Sequence, residues 1–156
     1  MNHVHRAYSG NLGNFRSDFA KHLLVIGLIK SYFTLERELY LYQRDIVSCT
    51  EIETELANNG ADAERLAKAK AVSNDAREAY ERKKREFVMM KQDISDLIDK
   101  VNDITSRTLL KVRILERKKS AEAAKIIHYS TATTTRLYMV ALTELDRLYQ
   151  NQNEHK

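Results

Sequence analysis

A chain of 156 residues is long enough for one domain, or for a small domain plus an extended element. It has no proline, four glycines and one cysteine, which excludes a disulfide framework or a cysteine-based zinc site and points to an all-α protein in a reducing compartment. The net charge of +4 is unevenly spread: Ser106 to Lys156 holds ten Lys/Arg against five Asp/Glu, while Met1 to Thr105 is close to neutral, so the excess that suits a polyanionic partner belongs to the C-terminal third.

In chain order, residues 1–13 read as a flexible N-terminus. His3 and His5 form an H-x-H there with no carboxylate or cysteine nearby, so no metal site is predicted. Over 14–104 the spacing predicts a long antiparallel helical hairpin, a coiled coil with its turn near 58–60. Its first helix, from about Asn14 to Ala57, carries Leu28, Tyr32, Leu35, Leu39, Tyr42, Ile46, Cys49, Glu53 and Leu56 in alternating steps of four and three. The second, from about Ala61 to Ile104, carries Leu66, Ala69, Ser73, Ala76, Tyr80, Lys83, Phe87, Met90, Ile94, Leu97, Val101 and Ile104 in the same rhythm. Such 3.5-residue periodicity, sustained over several heptads, marks a coiled-coil seam. Asn58-Asn59-Gly60 supplies residues that tolerate left-handed backbone and stop a helix.

The run Leu23–Ile29, between His22 and Lys30, is too short to span a membrane. Phe15, Phe19, Val25, Ile29 and Phe33 lie partly off the seam and need a cover: a second copy of the chain, the C-terminal module or another protein. A homodimer is expected as that cover.

Residues 105–150 read as three short helices. Leu109-Leu110-Lys-Val112-Arg-Ile114-Leu115 is the first, and Ser120 to Ile127, with Ser120 as N-cap, is the second. The turn His128-Tyr129-Ser130 follows, with Ser130 capping a third helix from about Thr131 to Tyr149. The last two helices have helix-turn-helix spacing, which implies double-stranded DNA as partner. Between Arg107 and Leu142 eight basic residues stand against two acidic ones. On the third helix Thr134, Leu137, Tyr138 and Ala141 share the packing stripe, and Ala132, Thr135, Arg136 and Met139 fall opposite. Thr131, Ala132, Thr135 and Arg136 are therefore the candidates for base contact. Arg136 suits either a bidentate contact to guanine or a phosphate, and Ala132 or a threonine methyl suits a thymine methyl. Lys118, Lys119, Lys125 and Ser130 are the phosphate candidates, with Ser130 also read as a structural cap. Tyr129 is expected to plug the turn, and His128 to act as a turn residue. Residues 151–156 read as a tail.

Ala124, Ile127 three later, Ser130 six later, Thr133 nine later and Ala141-Leu142 together resemble region 4 of bacterial sigma-70-type factors, and Leu109–Glu116 looks like the helix leading into that motif. In size, basicity and C-terminal placement of the module the chain is also similar to small phage late-gene transcription activators of the ArpU and RinA groups. The resemblance implies a phage or prophage regulator in the bacterial cytoplasm and, further, contact with RNA polymerase. His128 stands where the family usually has a turn glycine, and Thr134 where it usually has a buried Val. A phage DNA-packaging recognition subunit also combines a helix-turn-helix with a helical hairpin, but there the DNA module usually comes first. A helical adaptor binding protein through the hairpin is the rival from another class.

No Gly-rich phosphate loop, H-E-x-x-H or G-x-S-x-G occurs, and the carboxylates sit among Lys and Arg, as in Glu81-Arg-Lys-Lys-Arg-Glu86. The sequence therefore predicts neither catalysis nor a cofactor.

Overall fold

The structure, a computed structural model, describes residues 22–156 and is all-α. Helix α1 (Leu24–Asn58) and helix α2 (Ala63–Asp99) pack as a hairpin. Helix α3 (Ile104–Leu110) continues into a π-helical turn (Lys111–Leu115), followed by α4 (Ser120–Ile127) and α5 (Thr131–Glu154). Among the described residues no helix is long and apolar enough to cross a membrane.

The chain divides into two compact units. One is Ser31–Gln92, and the other joins residues 22–30 to Asp93–Lys156. In the first, every seam position from Tyr32 to Leu56 and from Leu66 to Met90 is buried or half-buried. The Tyr32 and Phe87 rings stack at 5.1 Å and 10°. Lys83, a polar exception in the pattern, is half-buried and reaches Glu38 at 3.7 Å and Glu86 at 3.4 Å. The hydrogen bond and charge of Glu86, with Glu38 adding, hold its ammonium above the usual lysine range. Ser73 is fully buried, and its hydroxyl has no hydrogen-bond partner.

The hairpin turn follows from Gly60. With φ at +70° it lets the Ala61 N–H donate to Leu56 O at 3.0 Å and the Gly60 N–H to Ala57 O at 3.4 Å, closing the α1 carbonyls in a Schellman arrangement. Asp62 then caps α2, its Oδ1 accepting from Arg65 N at 2.9 Å.

Three expectations are corrected. Helix α2 does not run to Ile104 but ends at Asp99, where Lys100 N and Val101 N close its last turn on Leu97 O at 3.2 Å and Ile98 O at 3.0 Å; Asp103 (φ −72°, ψ 122°) then caps α3, its carboxylate accepting from Ser106 N at 2.7 Å. That N–H holds the Asp103 carboxyl below its ordinary range. Val101 keeps its seam burial, but Ile104 is 63% exposed. The residues after 150 are not a free tail: α5 continues to Glu154.

The second unit has its own core. Val25 and Ile29 at the start of α1, and Ile94, Leu97 and Ile98 at the end of α2, are buried in it, as are Leu109, Ile114, Leu142 and Leu145. Val25 and Ile29, at 0% and 4% exposure, are thus covered by their own chain rather than left for a second copy. Phe33 is half-buried with its ring tilted 49° against Tyr32. Phe15 and Phe19 lie outside the described residues. Asp146, buried on α5, accepts from Val25 N through Oδ1 at 2.9 Å and from Gln150 Nε2 through Oδ2 at 2.6 Å. The first turn of α1 has no acidic residue of its own, so its N-terminus is capped by a carboxylate from α5.

Candidate nucleic-acid interface

Apolar side chains of α3, α4 and α5 build a common core. Leu109, Val112 and Ala123 form a buried cluster, closed by Ile127, Leu137 and Tyr138. The π-helical turn ends where Glu116 N donates to Lys111 O at 3.0 Å and Arg117 enters the left-handed region at φ +59°. Arg113 fixes this corner. Its Nη1 donates to Lys118 O at 2.7 Å, and its guanidinium lies 5.0 Å over the Tyr138 ring. Burial pushes the Tyr138 phenol up, against the opposing pull of Arg113 and Arg117. With the corner held this way the chain enters α4 one residue early: Lys119, not Ser120, is the N-cap, and it makes no side-chain capping bond.

Helix α4 stops at His128, which has φ +61° and ψ 41°. The His128 and Tyr129 N–H groups both donate to Ala124 O, the latter at 3.1 Å. A left-handed residue is therefore required at this corner. A side chain there costs about 1–2 kcal/mol, partly offset by the greater freedom glycine would have in the unfolded chain. His128→Gly is accordingly expected to stabilise the protein by about 0.5–1 kcal/mol, read as a higher urea midpoint. The same corner turns Tyr129 outward. It is 51% exposed rather than a plug, and Ile127 closes the cluster in its place.

Ser130 caps α5 as expected. Its Oγ accepts from Thr133 N at 3.2 Å and donates to Thr133 Oγ1 at 2.9 Å. On α5 the packing stripe is Thr134, Leu137, Tyr138 and Ala141, with Thr134 and Ala141 fully buried and the other two half-buried. Thr134 is 1% exposed, and its Oγ1 has no hydrogen-bond partner. Thr134→Val removes an unpaired buried hydroxyl at constant shape and is expected to stabilise by about 1–2 kcal/mol, seen as a rise in thermal midpoint.

The base-contact candidates come together on the outer side of α5. Thr131, Ala132 and Arg136 are exposed and Thr135 is half-buried. Arg136 Nη2 donates to Thr133 Oγ1 at 3.3 Å, a contact that leaves the guanidinium at the surface. Of the phosphate candidates, Lys118 lies 3.8 Å from Glu122, and Lys119 and Lys125 are exposed on α4. Other cations of the module are already engaged: Lys111 with Asp99 at 2.6 Å, and Arg113 at its corner. Val140, absent from the base-contact candidates, is 63% exposed on α5 four residues beyond Arg136. Among the described residues no group of three or more His, Cys, Asp or Glu could hold a metal ion.

No curated protein and no solved structure matches the chain. Residues 71–146, which run from within α2 through α3 and α4 to Asp146 on α5, match the model of a family described as a protein of unknown function (DUF1492).

Proposed function

We propose that this protein is a sequence-specific regulator of transcription that binds double-stranded DNA through residues 107–149, of the phage or prophage late-gene activator kind. The observation that carries this reading is the corner at His128. It joins two helices at helix-turn-helix spacing and leaves Thr131, Ala132 and Arg136 exposed on α5, with Lys119 exposed at the N-cap of α4 and Lys125 exposed on α4. Arg136 is assigned to guanine, and Lys118, Lys119 and Lys125 to phosphates. RNA polymerase is the further partner that the sigma-type resemblance suggests.

The hairpin is then the dimerisation or partner-binding arm. Tyr40, Leu41 and Val47, each more than half exposed on α1, are among the apolar groups it offers outward. The same surface supports the second reading, a helical adaptor whose basic module is incidental.

Selection of the purified protein against a random duplex library at two salt concentrations separates the readings. The expected result is an enriched motif, two-fold symmetric for a dimer, in which Arg136→Ala relaxes one position and weakens binding roughly tenfold. Weak, unselective retention that vanishes with salt would sink the regulator reading in favour of the adaptor.

A further inference from the structure

The outer face of α5 carries little hydrogen-bonding chemistry. From Thr131 to Thr143 there is no Asn, Gln, Asp or Glu, so the helix has no amide to pair with adenine and no carboxylate to accept from cytosine. Two of the threonine hydroxyls along the outer side have committed their hydrogen to the helix backbone and keep only acceptor capacity. Thr135 Oγ1 donates to Thr131 O at 3.0 Å, and Thr143 Oγ1 donates to Met139 O at 2.9 Å. Beyond the Thr131 hydroxyl at its N-terminal end, the face presents to a base edge chiefly a row of methyl groups: those of Ala132, Thr135, Val140 and Thr143. One guanidinium, that of Arg136, lies among them. Ala132, Arg136 and Val140 follow each other at four-residue steps, all exposed, so they form one line along the helix. At 1.5 Å per residue that line is about 12 Å long, the rise of three to four base pairs.

We propose that this face reads thymine by its 5-methyl group, on either side of the single guanine assigned to Arg136. Among the four bases only thymine offers a methyl in the major groove. An aliphatic row flanking one cation therefore fits a thymine-rich half-site with one guanine, and is poorly suited to adenine or cytosine on the contacted strand. The inference rests on the DNA-binding reading and deepens it by naming the base chemistry.

The test uses the full-length protein and the duplex enriched by selection, with each thymine replaced in turn by deoxyuridine. Pairing is unchanged, and only the 5-methyl is lost. The expected result is a fall in affinity of roughly fourfold per contacted methyl, at positions flanking the guanine that Arg136→Ala relaxes. Val140→Ala, an exposed change that leaves the core intact, should abolish the thymine–uracil difference at one of these positions and leave the others. An enriched motif with equal affinity for thymine and uracil throughout would overturn the thymine assignment while leaving the DNA-binding reading in place. If no duplex is retained at either salt concentration, both are overturned.

Discussion

Leu109→Ala is expected to destabilise the second unit by about 2–5 kcal/mol, through lost transfer free energy and the cavity left behind. Leu109 is fully buried in the cluster with Val112 and Ala123 that Ile127, Leu137 and Tyr138 pack against, a cluster that draws on all three helices of the module. The consequence is amplified by helix length. Helix α4 has eight residues and α3 seven, too few to hold helical structure without tertiary packing. Urea unfolding followed by circular dichroism should show the shifted midpoint. Leu109→Met, which conserves volume, should cost less than about 1.5 kcal/mol. Equal midpoints for Leu109→Ala and the parent chain would refute this account of the core.

Asp146→Ala is expected to cost about 2–3 kcal/mol. The substitution strips the acceptor from the N–H of fully buried Val25 and removes the negative charge from the N-terminal end of α1. Asp146→Asn keeps an acceptor without the charge and should fall between the two. Amide hydrogen exchange gives a local readout: protection in the first turn of α1 should drop more than protection around Gly60, which has its own turn hydrogen bonds. Uniform loss at both places would argue against a capping role.

Much of the hairpin was legible because its determinant is local. A 3.5-residue period fixes which residues face inward whatever the partner, and positions from Tyr32 to Leu56 and Leu66 to Val101 follow it. The pattern failed at Ile104, where an apolar residue kept the period but the chain had left α2 at Asp99 and Asp103 had capped a new helix. Ser130 and the packing stripe of α5 were readable for the same local reasons. The cover over Val25 and Ile29 was not, because periodicity identifies a buried face and does not name its neighbour. Asp146 was equally hidden: a carboxylate on an amphipathic helix reads as solvated unless the distant N–H it meets is known. Tyr129 was misplaced because one left-handed residue, His128, reverses the side to which the next side chain points. The corner role of Arg113 depends on Lys118 and on Tyr138, a helix away, and no short motif joins them.

The bond between Val25 and Asp146 spans 121 positions of sequence, which has a kinetic consequence. From a disordered chain, closing so long a loop carries an entropy cost that grows with the logarithm of its length. The segment Ser31–Gln92, which separates the two parts of the second unit, can zip from its turn at Gly60 through contacts between chain neighbours. Once zipped, it returns the chain to where it left, and the remaining closure is short. Val25 and Asp146 therefore meet late, after the rate-limiting step, and Asp146→Ala should speed unfolding while leaving the folding rate nearly unchanged. The hairpin in this sense is a folding template for the helices that follow it, independent of any partner it binds.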